Sequence, residues 1–464
     1  MSDVIKIKKG LDLPIGGDAA QTISDALNIR RYAVKPSDYV GLTPKLLVQE
    51  GDTVNAGSPL FCEKKDTRIC FTSPVNGTVS AIVRGDKRAL IAVVVEASGE
   101  SVAPLAPATL STAEDIKKAM LQTGLWTSLR QRPFGTVANP DAQPKAIFIS
   151  AFDSAPLAPD NDFVLQNRIA ELAKGLELLS KLTQGKLHIC FRPGQQLASQ
   201  LEKLQFVTAH MVCGPHPAGN IGTQIAVIDP INKGEVVWTI NMQDVATLGH
   251  YALTGEYRPE RTIAVAGPVV NNPRYYRILA GACMSQIISG TQLQANTEGN
   301  GYRYISGNVL TGTAIQPDGF IGAYDSLLTI LPEGDHYDFM GWLAPNLRKY
   351  SFSRTFLSGF RCAKNSKSAA ERNSCVAPVF DTNLHGGVRP FIFSGDFERV
   401  FPMDIYPMQL VKACIVGDIE LQEKLGIYEV EPEDFALCEF IDVSKTEIQT
   451  IIRQALEQLR KEAL

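Results

Sequence analysis

Residues 48–61 read Val48-Gln-Glu-Gly-Asp-Thr-Val-Asn-Ala-Gly-Ser-Pro-Leu-Phe61. Gly51, which precedes an aspartate, and Gly57, which follows an alanine, predict tight turns, because glycine adopts positive φ without strain. Val54 and Leu60 lie between polar residues and are expected to point into a core. Short strands of this kind, broken by Gly, Pro and Asn up to about residue 100, predict a small β-sandwich.

A second stretch, Ser73-Pro-Val-Asn-Gly-Thr-Val79, predicts the turn of a partner hairpin. Together the two stretches resemble the biotinyl/lipoyl-like barrel-sandwich domain, which presents a modifiable lysine at a hairpin tip. Here the tip reads Glu63-Lys-Lys-Asp-Thr-Arg68. Lys64 or Lys65 is a candidate acceptor, but the charged neighbours favour a solvated turn. We therefore expect a domain kept for its shape rather than for carrying a group.

Length and composition limit the classes of protein that fit. With 464 residues, of which 45% are hydrophobic and 20% charged, the chain is expected to be a soluble protein of several domains. Its 45 basic and 49 acidic side chains lack the excess of positive charge that a nucleic acid partner requires. No signal peptide is recognised, and the aliphatic run Ala89–Val95 is too short to span a membrane. We expect a cytoplasmic chain.

The nine cysteines are scattered and contain no CxxC pair, which favours a reducing compartment. Only Cys362 and Cys375 approach metal-site spacing, and they flank a polar insertion, Lys364–Asn373, typical of a mobile loop. No metal site is predicted.

Strands and helices alternate after a predicted linker at Pro104–Pro107. The pattern predicts strands at 146–151, 187–191 and 206–213, with helices at 163–182 and 197–204. This alternation is typical of a parallel sheet in a Rossmann-like α/β domain. Two capping boxes, Ser111 with Glu114 and Ser444 with Glu447, predict where a first and a last helix begin.

The third predicted strand runs into a glycine-rich loop, Gly214-Pro-His-Pro-Ala-Gly-Asn-Ile-Gly222. Open α/β folds bind ligands at this edge of the sheet, but the loop is neither a GxGxxG nor a P-loop, and its two prolines donate no N–H group. A structural turn is favoured over nucleotide binding. His216 is interpreted either as a hydrogen-bonding partner of a ligand or as an anchor that fixes the loop on a backbone carbonyl.

The remaining chain predicts two further units. Residues 261–276 read as strand, turn and strand before a short helix near 284–288, which resembles a soluble-ligand-binding (SLBB-like) β-grasp domain. The fold class is therefore α/β multidomain. The predicted units are a sandwich domain at 1–103, a Rossmann-like domain at 104–258, a β-grasp domain at 259–330 and a mixed C-terminal region at 331–464 ending in a helix.

The segment Thr123–Phe134 reads as an aromatic and basic turn, in which four residues combine flat apolar rings with cationic donors: Trp126, Arg130, Arg132 and Phe134. Such a set suits a quinone ring or an anionic partner surface, although a buried interface is the plainer explanation. No Ser-His-Asp order, GxSxG motif or carboxylate pair is found, so independent catalysis by this chain is not expected.

Five segments in order carry a resemblance to one family. They are Lys6–Ile15, Gly124–Trp126 with Arg132–Phe134, Gly214–Gly219, Ala266–Pro273 and Ile305–Gly312. Together they resemble the A subunit of the sodium-translocating NADH:quinone reductase. The resemblance implies a peripheral protein on the cytoplasmic face of the bacterial inner membrane. Its six-subunit complex oxidises NADH, reduces ubiquinone and transports sodium outward.

The same resemblance implies that this chain binds no cofactor. It also implies that FAD, FMN, riboflavin and iron–sulfur centres belong to partner subunits. Its chief partner would be the quinone-proximal membrane subunit. Related electron-transfer proteins bind FMN or NADH through a glycine-rich loop, where this chain has the bulky segment Gly124–Phe134, and they cluster cysteines where it has only Cys438. Three hypotheses follow. In the first, the chain is a scaffold near the quinone site. In the second, it binds ubiquinone, and the candidate residues are Trp126, Arg130, Arg132, Phe134 and His216. In the third, it is a soluble flavin or nucleotide enzyme that uses Gly214–Gly222.

Overall fold

The computed structural model describes residues 4–24, 28–99, 110–294, 301–337, 339–341, 343, 345–346, 349–354, 356–357 and 380–462. The predicted linker Pro104–Pro107, the polar insertion Lys364–Asn373, Cys362 and Cys375 lie outside these residues.

The N-terminal part forms two small antiparallel sheets, as predicted. Its strands are β1 (Val4–Lys6), β2 (Ala20–Ser24), β3 (Arg31–Val34), β4 (Pro44–Leu46), β5 (Thr53–Val54), β6 (Pro59–Glu63), β7 (Cys70–Thr72), β8 (Gly77–Arg84) and β9 (Leu90–Ala97). The sheets have the orders β3-β9-β8-β5 and β4-β6-β7, whereas β1 and β2 join sheets of later domains. Gly51 and Gly57 have φ of 91° and 85°, and Val54 and Leu60 are buried.

The tip between β6 and β7 is the predicted solvated turn, with both Lys64 and Lys65 exposed. Arg68 bonds the carboxylate of Asp66 in the same turn. It also bonds that of Asp141 in the next domain, with Nη2 2.6 Å from Asp141 Oδ2. The tip is thereby held against its neighbour.

The α/β domain is built on a seven-stranded sheet of order β1-β14-β13-β12-β15-β10-β11. Its own strands are β10 (Arg130–Arg132), β11 (Thr136–Val137), β12 (Ala146–Ser150), β13 (Lys186–Phe191), β14 (Val207–Cys213) and β15 (Val237–Thr239). Its helices are α1 (Ala113–Thr123), α2 (Asn161–Leu165), α3 (Ile169–Ser180), α4 (Gln196–Leu201), α5 (Ile221–Ile228) and α6 (Met242–Thr254). Five neighbouring strands of this sheet run parallel: β1, β14, β13, β12 and β15. Strands β10 and β11 are antiparallel to their neighbours. The predicted Rossmann-like class is therefore confirmed.

Three local predictions in this domain are wrong in detail. The first capping box uses Thr112 and Asp115 instead of Ser111 and Glu114, because α1 begins at Ala113. The helix predicted over 163–182 is two helices, separated at residues 166–168. The segment 130–132, expected to be part of a turn, is strand β10, because its backbone pairs with β15.

The next domain is a six-stranded sheet of order β19-β18-β20-β16-β17-β2 with one short helix. It comprises β16 (Glu260–Ala266), β17 (Arg274–Leu279), α7 (Met284–Ile288), β18 (Tyr302–Ser306), β19 (Thr313–Ile315) and β20 (Leu327–Pro332). Strand, turn, strand and helix follow one another as predicted. Strand β2 pairs in parallel with β17, so the N-terminal segment also belongs to this sheet.

From residue 397 onward the described C-terminal region is helical, and it ends in a helix as predicted. It contains α8 (Phe397–Val400), α9 (Pro407–Val416), α10 (Ile419–Lys424), α11 (Ala436–Ile441) and α12 (Ile448–Glu462), with 3-10 turns at Ile427–Glu429 and Pro432–Phe435. The apolar stripe of α12 is buried. Ser444 does not cap α12 as predicted: its hydroxyl donates to the carbonyl of Pro390.

The apolar side chains form two main cores. One is continuous through the sandwich, α/β and β-grasp domains, and the other belongs to the C-terminal region and is built around Phe397, Phe401, Phe435 and Leu456. No helix in the described ranges combines the length and apolarity needed to cross a bilayer. Apolar side chains from other parts of the chain, Leu11, Phe134, Ala226 and Leu310, also pack against this second core, so apolar and polar contacts together attach the C-terminal region.

Candidate functional site

The carboxyl ends of β12, β13 and β14 meet the glycine-rich loop and the start of α5. Open α/β folds place their ligands at this edge. Ser154 follows β12 and His216 follows β14, and the two side chains are in contact there. The edge is therefore the first place to look for a site.

The backbone of the glycine-rich loop is engaged by the protein itself. The His216 amide donates to Asp12 Oδ1 at 2.9 Å, and its carbonyl accepts from the amide of Leu11 at 2.8 Å. The Gly219 amide donates to Ser154 Oγ at 2.8 Å. These N–H groups already donate hydrogen bonds to acceptors within the protein. This arrangement fits the structural turn favoured by the sequence.

His216 is 2% exposed and fixes the loop through a hydroxyl group. Its Nδ1 lies 3.1 Å from Ser154 Oγ, and the backbone of Ser154 is a further hydrogen-bond partner of the ring. Which of Nδ1 and Oγ donates depends on the tautomer of the ring, because the Ser154 hydroxyl group can both donate and accept. Burial lowers the pKa of His216 to about 4, so the ring is neutral at pH 7.

Arg132 of β10 joins the α/β domain to the C-terminal region through two ionic contacts. It is 4% exposed, with Nη2 2.5 Å from Glu433 Oε1 and Nη1 3.2 Å from Asp434 Oδ2. Both carboxylates come from the turn Pro432–Phe435. The Asn220 side chain, just before α5, also lies 3.5 Å from the Glu433 carbonyl.

Gly222, in the first turn of α5, faces these charges directly. A Cβ atom there would collide with the Asp434 carboxylate and the Arg132 guanidinium. A helix N-terminus beside an arginine is an arrangement that attracts anions such as phosphate. In this chain, a carboxylate of its own C-terminal region already lies there.

A second arginine extends the network. Arg453 of α12 bonds Glu431 Oε2 at 3.1 Å and the Phe134 carbonyl at 2.8 Å, while the Glu431 amide donates to Asp434 Oδ2 at 2.9 Å. Burial, aided by repulsion from Glu433 and Glu431, raises the pKa of Asp434 to about 7 despite Arg132. For Glu433, burial is outweighed by Arg132 and Arg130, which hold its pKa below the usual value.

The predicted cluster of rings and arginines divides between three neighbours. Trp126 is fully buried, donates from Nε1 to the Ala138 carbonyl at 2.7 Å and meets Trp238 edge-on. The guanidinium of Arg130 lies over the Tyr324 ring of the β-grasp domain, 5.1 Å from its centroid. Phe134 turns with Arg132 towards the C-terminal region, where its ring meets that of Tyr428 at 6.2 Å. The structure thus brings Arg132 and Phe134 together and separates them from Trp126.

A small cavity with several ionisable side chains in its lining lies where the sandwich, α/β and β-grasp domains meet, and no sequence motif indicated it. It measures about 80 Å³ and is lined by Asp38, Asp244, Arg261 and Tyr324 among others. Arg261 Nη2 lies 2.7 Å from Asp244 Oδ1, and the Asp38 carboxylate accepts from the Ala323 amide at 2.9 Å. Burial raises the pKa of both aspartates. These residues are far apart in sequence, so only the fold brings them together.

Cys438, the cysteine retained near the C-terminus, is fully buried in α11, and burial raises the pKa of its thiol. In the part of the chain that the structure describes, no three His, Cys, Asp or Glu side chains converge as a metal site would need.

Gly222→Ala is expected to destabilise the C-terminal region, because the new methyl group displaces Asp434 and Arg132. A clash of this kind in a packed interface costs roughly 1–3 kcal/mol. Calorimetric unfolding and limited proteolysis would measure the effect. Gly16→Ala is the control, since a Cβ there meets nothing within 4 Å. Equal unfolding of the two variants would contradict the close approach of the carboxylate to α5.

Asp434→Asn is expected to change how stability depends on pH. With its raised pKa, folded Asp434 binds a proton more tightly than the unfolded chain does, so its contribution to stability falls as pH rises from about 4 to about 7. Asparagine keeps an acceptor for Arg132 but does not titrate. Relative to wild type, the variant should gain stability across this range, by at most about 1.4 kcal/mol per pH unit. The measurement is the free energy of unfolding of both proteins as a function of pH, and parallel profiles would contradict this expectation. Glu114→Gln, at an exposed carboxylate, is the control.

The comparisons with known proteins cover nearly the whole chain. Residues 5–98 match the NqrA N-terminal barrel-sandwich hybrid domain, 111–257 the NqrA second alpha/beta domain and 262–316 the NQRA C-terminal domain. A relative from Neisseria meningitidis serogroup A, named as the A subunit of the Na(+)-translocating NADH-quinone reductase, is 40% identical over 99% of this chain and 100% of its own length. A relative of the same name from Yersinia pseudotuberculosis is 38% identical over 99% and 100%.

Among solved structures, an NAD+-reducing [NiFe]-hydrogenase in the H2-reduced state is similar at 14% identity. Its TM-score is 0.37 over 48% of this chain and 47% of its own, too distant to carry an argument. The identity of nearly 40% over the full length of the two relatives is strong enough to assign a family. Together with the three matched domains, it shows that this chain belongs to the NqrA family, the A subunits of the Na(+)-translocating NADH-quinone reductase.

Proposed function

We propose that this chain is a cofactor-free scaffold that docks on the quinone-proximal membrane subunit of its complex and shapes or guards the quinone site. The observation that carries this proposal is the position of Glu433 and Asp434, which lie with Arg132 at the start of α5. Internal carboxylates there exclude an external phosphate by charge and by volume. The scaffold hypothesis needs such a filled site, whereas the soluble flavin or nucleotide enzyme using Gly214–Gly222 needs an open one.

The rest of the complex would supply the chemistry. In this proposal the chain lies on the cytoplasmic face of the bacterial inner membrane, as one of six subunits, and FAD, FMN, riboflavin and iron–sulfur centres reside in its partners. The exposed hairpin tip at Lys64 and Lys65 supports the proposal, because it offers a solvated turn in the place where a carrier domain presents its attached group.

Exposed apolar side chains of the C-terminal region support docking. Those that are more than half exposed include Val388 (76%), Ile392 (53%), Phe393 (51%), Tyr406 (66%) and Val416 (72%). The segment 388–395 lies against α9, where the Lys412 ammonium is 5.0 Å from the Phe393 ring centroid and the Gly395 amide donates to Met408 Sδ. Monomeric proteins rarely expose such groups together. Because the relatives belong to a translocating complex, we assign this face to the membrane subunit.

A double variant, Ile392→Asp with Phe393→Asp, is expected to reduce recovery of the complex about tenfold or more, because two apolar anchors become charged at an interface. The measurement is sodium-stimulated NADH:quinone reductase activity that co-purifies with the tagged full chain in mild detergent. Ile91→Asp is the matched control, since Ile91 is 46% exposed on the sandwich domain. Full recovery by the double variant, with normal folding of both proteins, would remove this face from the proposal.

Direct ubiquinone binding is the second candidate function, and a large cavity favours it. The cavity measures about 1070 Å³ between the β-grasp domain and the C-terminal region, and its lining includes Leu13, Ile305, Phe352 and Phe440. Ligand pockets of small molecules are of this size and are mostly apolar. The predicted quinone-proximal residues Trp126, Arg130, Arg132, Phe134 and His216 are not in its described lining.

A photoreactive ubiquinone analogue distinguishes the two functions when it is applied to the intact complex. Labelling of this chain at Phe352 or Phe440, competed by ubiquinone and reduced by Phe440→Ala, is the result expected for direct binding. Labelling confined to other subunits is the result expected for the scaffold. Labelling at 126–134 would instead favour the cluster predicted from the sequence.

A further inference from the structure

Two cysteines face each other across the hairpin whose tip would bear the prosthetic group of a carrier domain. Cys62 ends the buried part of β6, Cys70 begins β7, and the two are direct partners in the antiparallel ladder. The turn between them includes Arg68. Other cysteines in the described strands have different partners: Cys190 pairs with His210 and Cys213 with Lys6.

The hydrogen bonds show which kind of pair this is. The Glu63 amide donates to the Ile69 carbonyl across the hairpin, whereas the Lys64 amide donates to Thr43 on the other side, next to β4. The backbone groups of β6 therefore alternate between its two neighbours, and those of Cys62 point towards Lys45 of β4. Cys62 and Cys70 form a non-hydrogen-bonded pair, in which Cα atoms are about 4.5 Å apart and the side chains lie on one face. Disulfides need Cα separations of about 4.4–6.8 Å.

One thiol is accessible and the other is protected. Cys62 is 1% exposed, while Cys70 is partly exposed and lines an open groove of about 660 Å³ with Lys117 and Lys118. Burial raises the pKa of both thiols, and repulsion from Cys62 adds to the shift at Cys70. An accessible thiol beside a protected one is the arrangement of an attacking and a resolving cysteine.

We propose that Cys62 and Cys70 form a dithiol/disulfide couple that exchanges with small-molecule disulfides. The Cys70 thiolate attacks one sulfur of the disulfide, which forms a mixed disulfide and releases one thiolate. The Cys62 thiolate then attacks Cys70 Sγ, forms the cross-strand bond and releases the second thiolate. The protein loses two protons and two electrons, and the small disulfide is reduced to two thiols.

The couple has a structural consequence at the hairpin tip. The Cys62–Cys70 bond closes the turn that carries Arg68, whose guanidinium bonds Asp141 of the α/β domain. In the oxidised state the bond therefore constrains the turn through which the sandwich domain contacts the α/β domain. This inference rests on the register of β6 and β7 and is independent of the proposed docking and quinone functions.

The test is to equilibrate the reduced full-length protein with glutathione disulfide, alkylate the remaining thiols and map the peptides by mass spectrometry. We expect a Cys62–Cys70 cross-link at a glutathione disulfide concentration about tenfold or more below that needed to modify Cys213, because the second thiol is already in place. The reaction should be faster at higher pH, since both steps need a thiolate. A stable glutathione adduct on Cys70 of the wild-type protein, or no cross-link at any concentration, would overturn the proposal.

Variants assign the two roles. Cys62→Ser should stop at a glutathione adduct on Cys70, because the resolving thiol is gone, and Cys70→Ser should react far more slowly. Cys213→Ser, at a half-buried thiol in the α/β domain, is the matched control and should cross-link like wild type. An adduct of Cys62→Ser that forms no faster than the adduct at Cys213 would contradict the attacking role of Cys70. Wild-type mapping decides the outcome even if a variant folds poorly.

Discussion

The buried contacts of Arg132 with Glu433 and Asp434 are the constraint on which the arrangement of the whole chain depends. A guanidinium removed from water must be paired, and removing one partner of such a contact typically costs about 3–5 kcal/mol. The C-terminal region has a core of its own, and these charges, with Arg453 and Glu431, attach it to the α/β domain together with the apolar contacts of Phe134 and Ala226. They also close the start of α5, at the edge of the sheet where open α/β folds place their ligands.

This closure explains features that are unconnected in the sequence. The absent side chain at Gly222 lets a carboxylate reach the first turn of α5, and the loop before α5 uses its amides on Asp12 and Ser154. At the hairpin tip, Lys64 and Lys65 lie in a charged turn that Arg68 links to Asp141. The chain thus has the folds of a carrier domain and of an α/β ligand-binding domain. In both, the residues at the expected functional position make contacts within the protein. This arrangement suits a protein whose role lies in its position within a complex.

The sequence predicted the elements that depend on local pattern. The turns at Gly51 and Gly57, the alternation of strands and helices, the strand–turn–strand unit after residue 260 and the terminal helix are all seen. The start of α1 was missed by one residue, because Ser111 and Thr112 are both good caps and only the backbone chooses between them. Strand β10 was missed because Arg130–Arg132 has no apolar alternation and is set by its pairing with β15.

The candidate site was only partly predictable, because its residues are far apart in the sequence. The glycine-rich loop predicts its own turn, but nothing in it indicates Glu433 and Asp434, which belong to a short acidic turn much later in the chain. The same holds for Ser154 beside His216, and for the residues around the three-domain cavity. Trp126 and Arg132 look alike as cluster residues in the sequence, but one is in the apolar core and the other in an ionic network.

The most direct measurement purifies the complex through a tag on this chain, separates the subunits without denaturing them and records flavin absorbance in each fraction. We predict that the intact complex reduces quinone with NADH and is stimulated by sodium, and that the fraction of this chain carries no flavin. A solitary chain that purifies with its own flavin and responds to NADH would contradict the scaffold role.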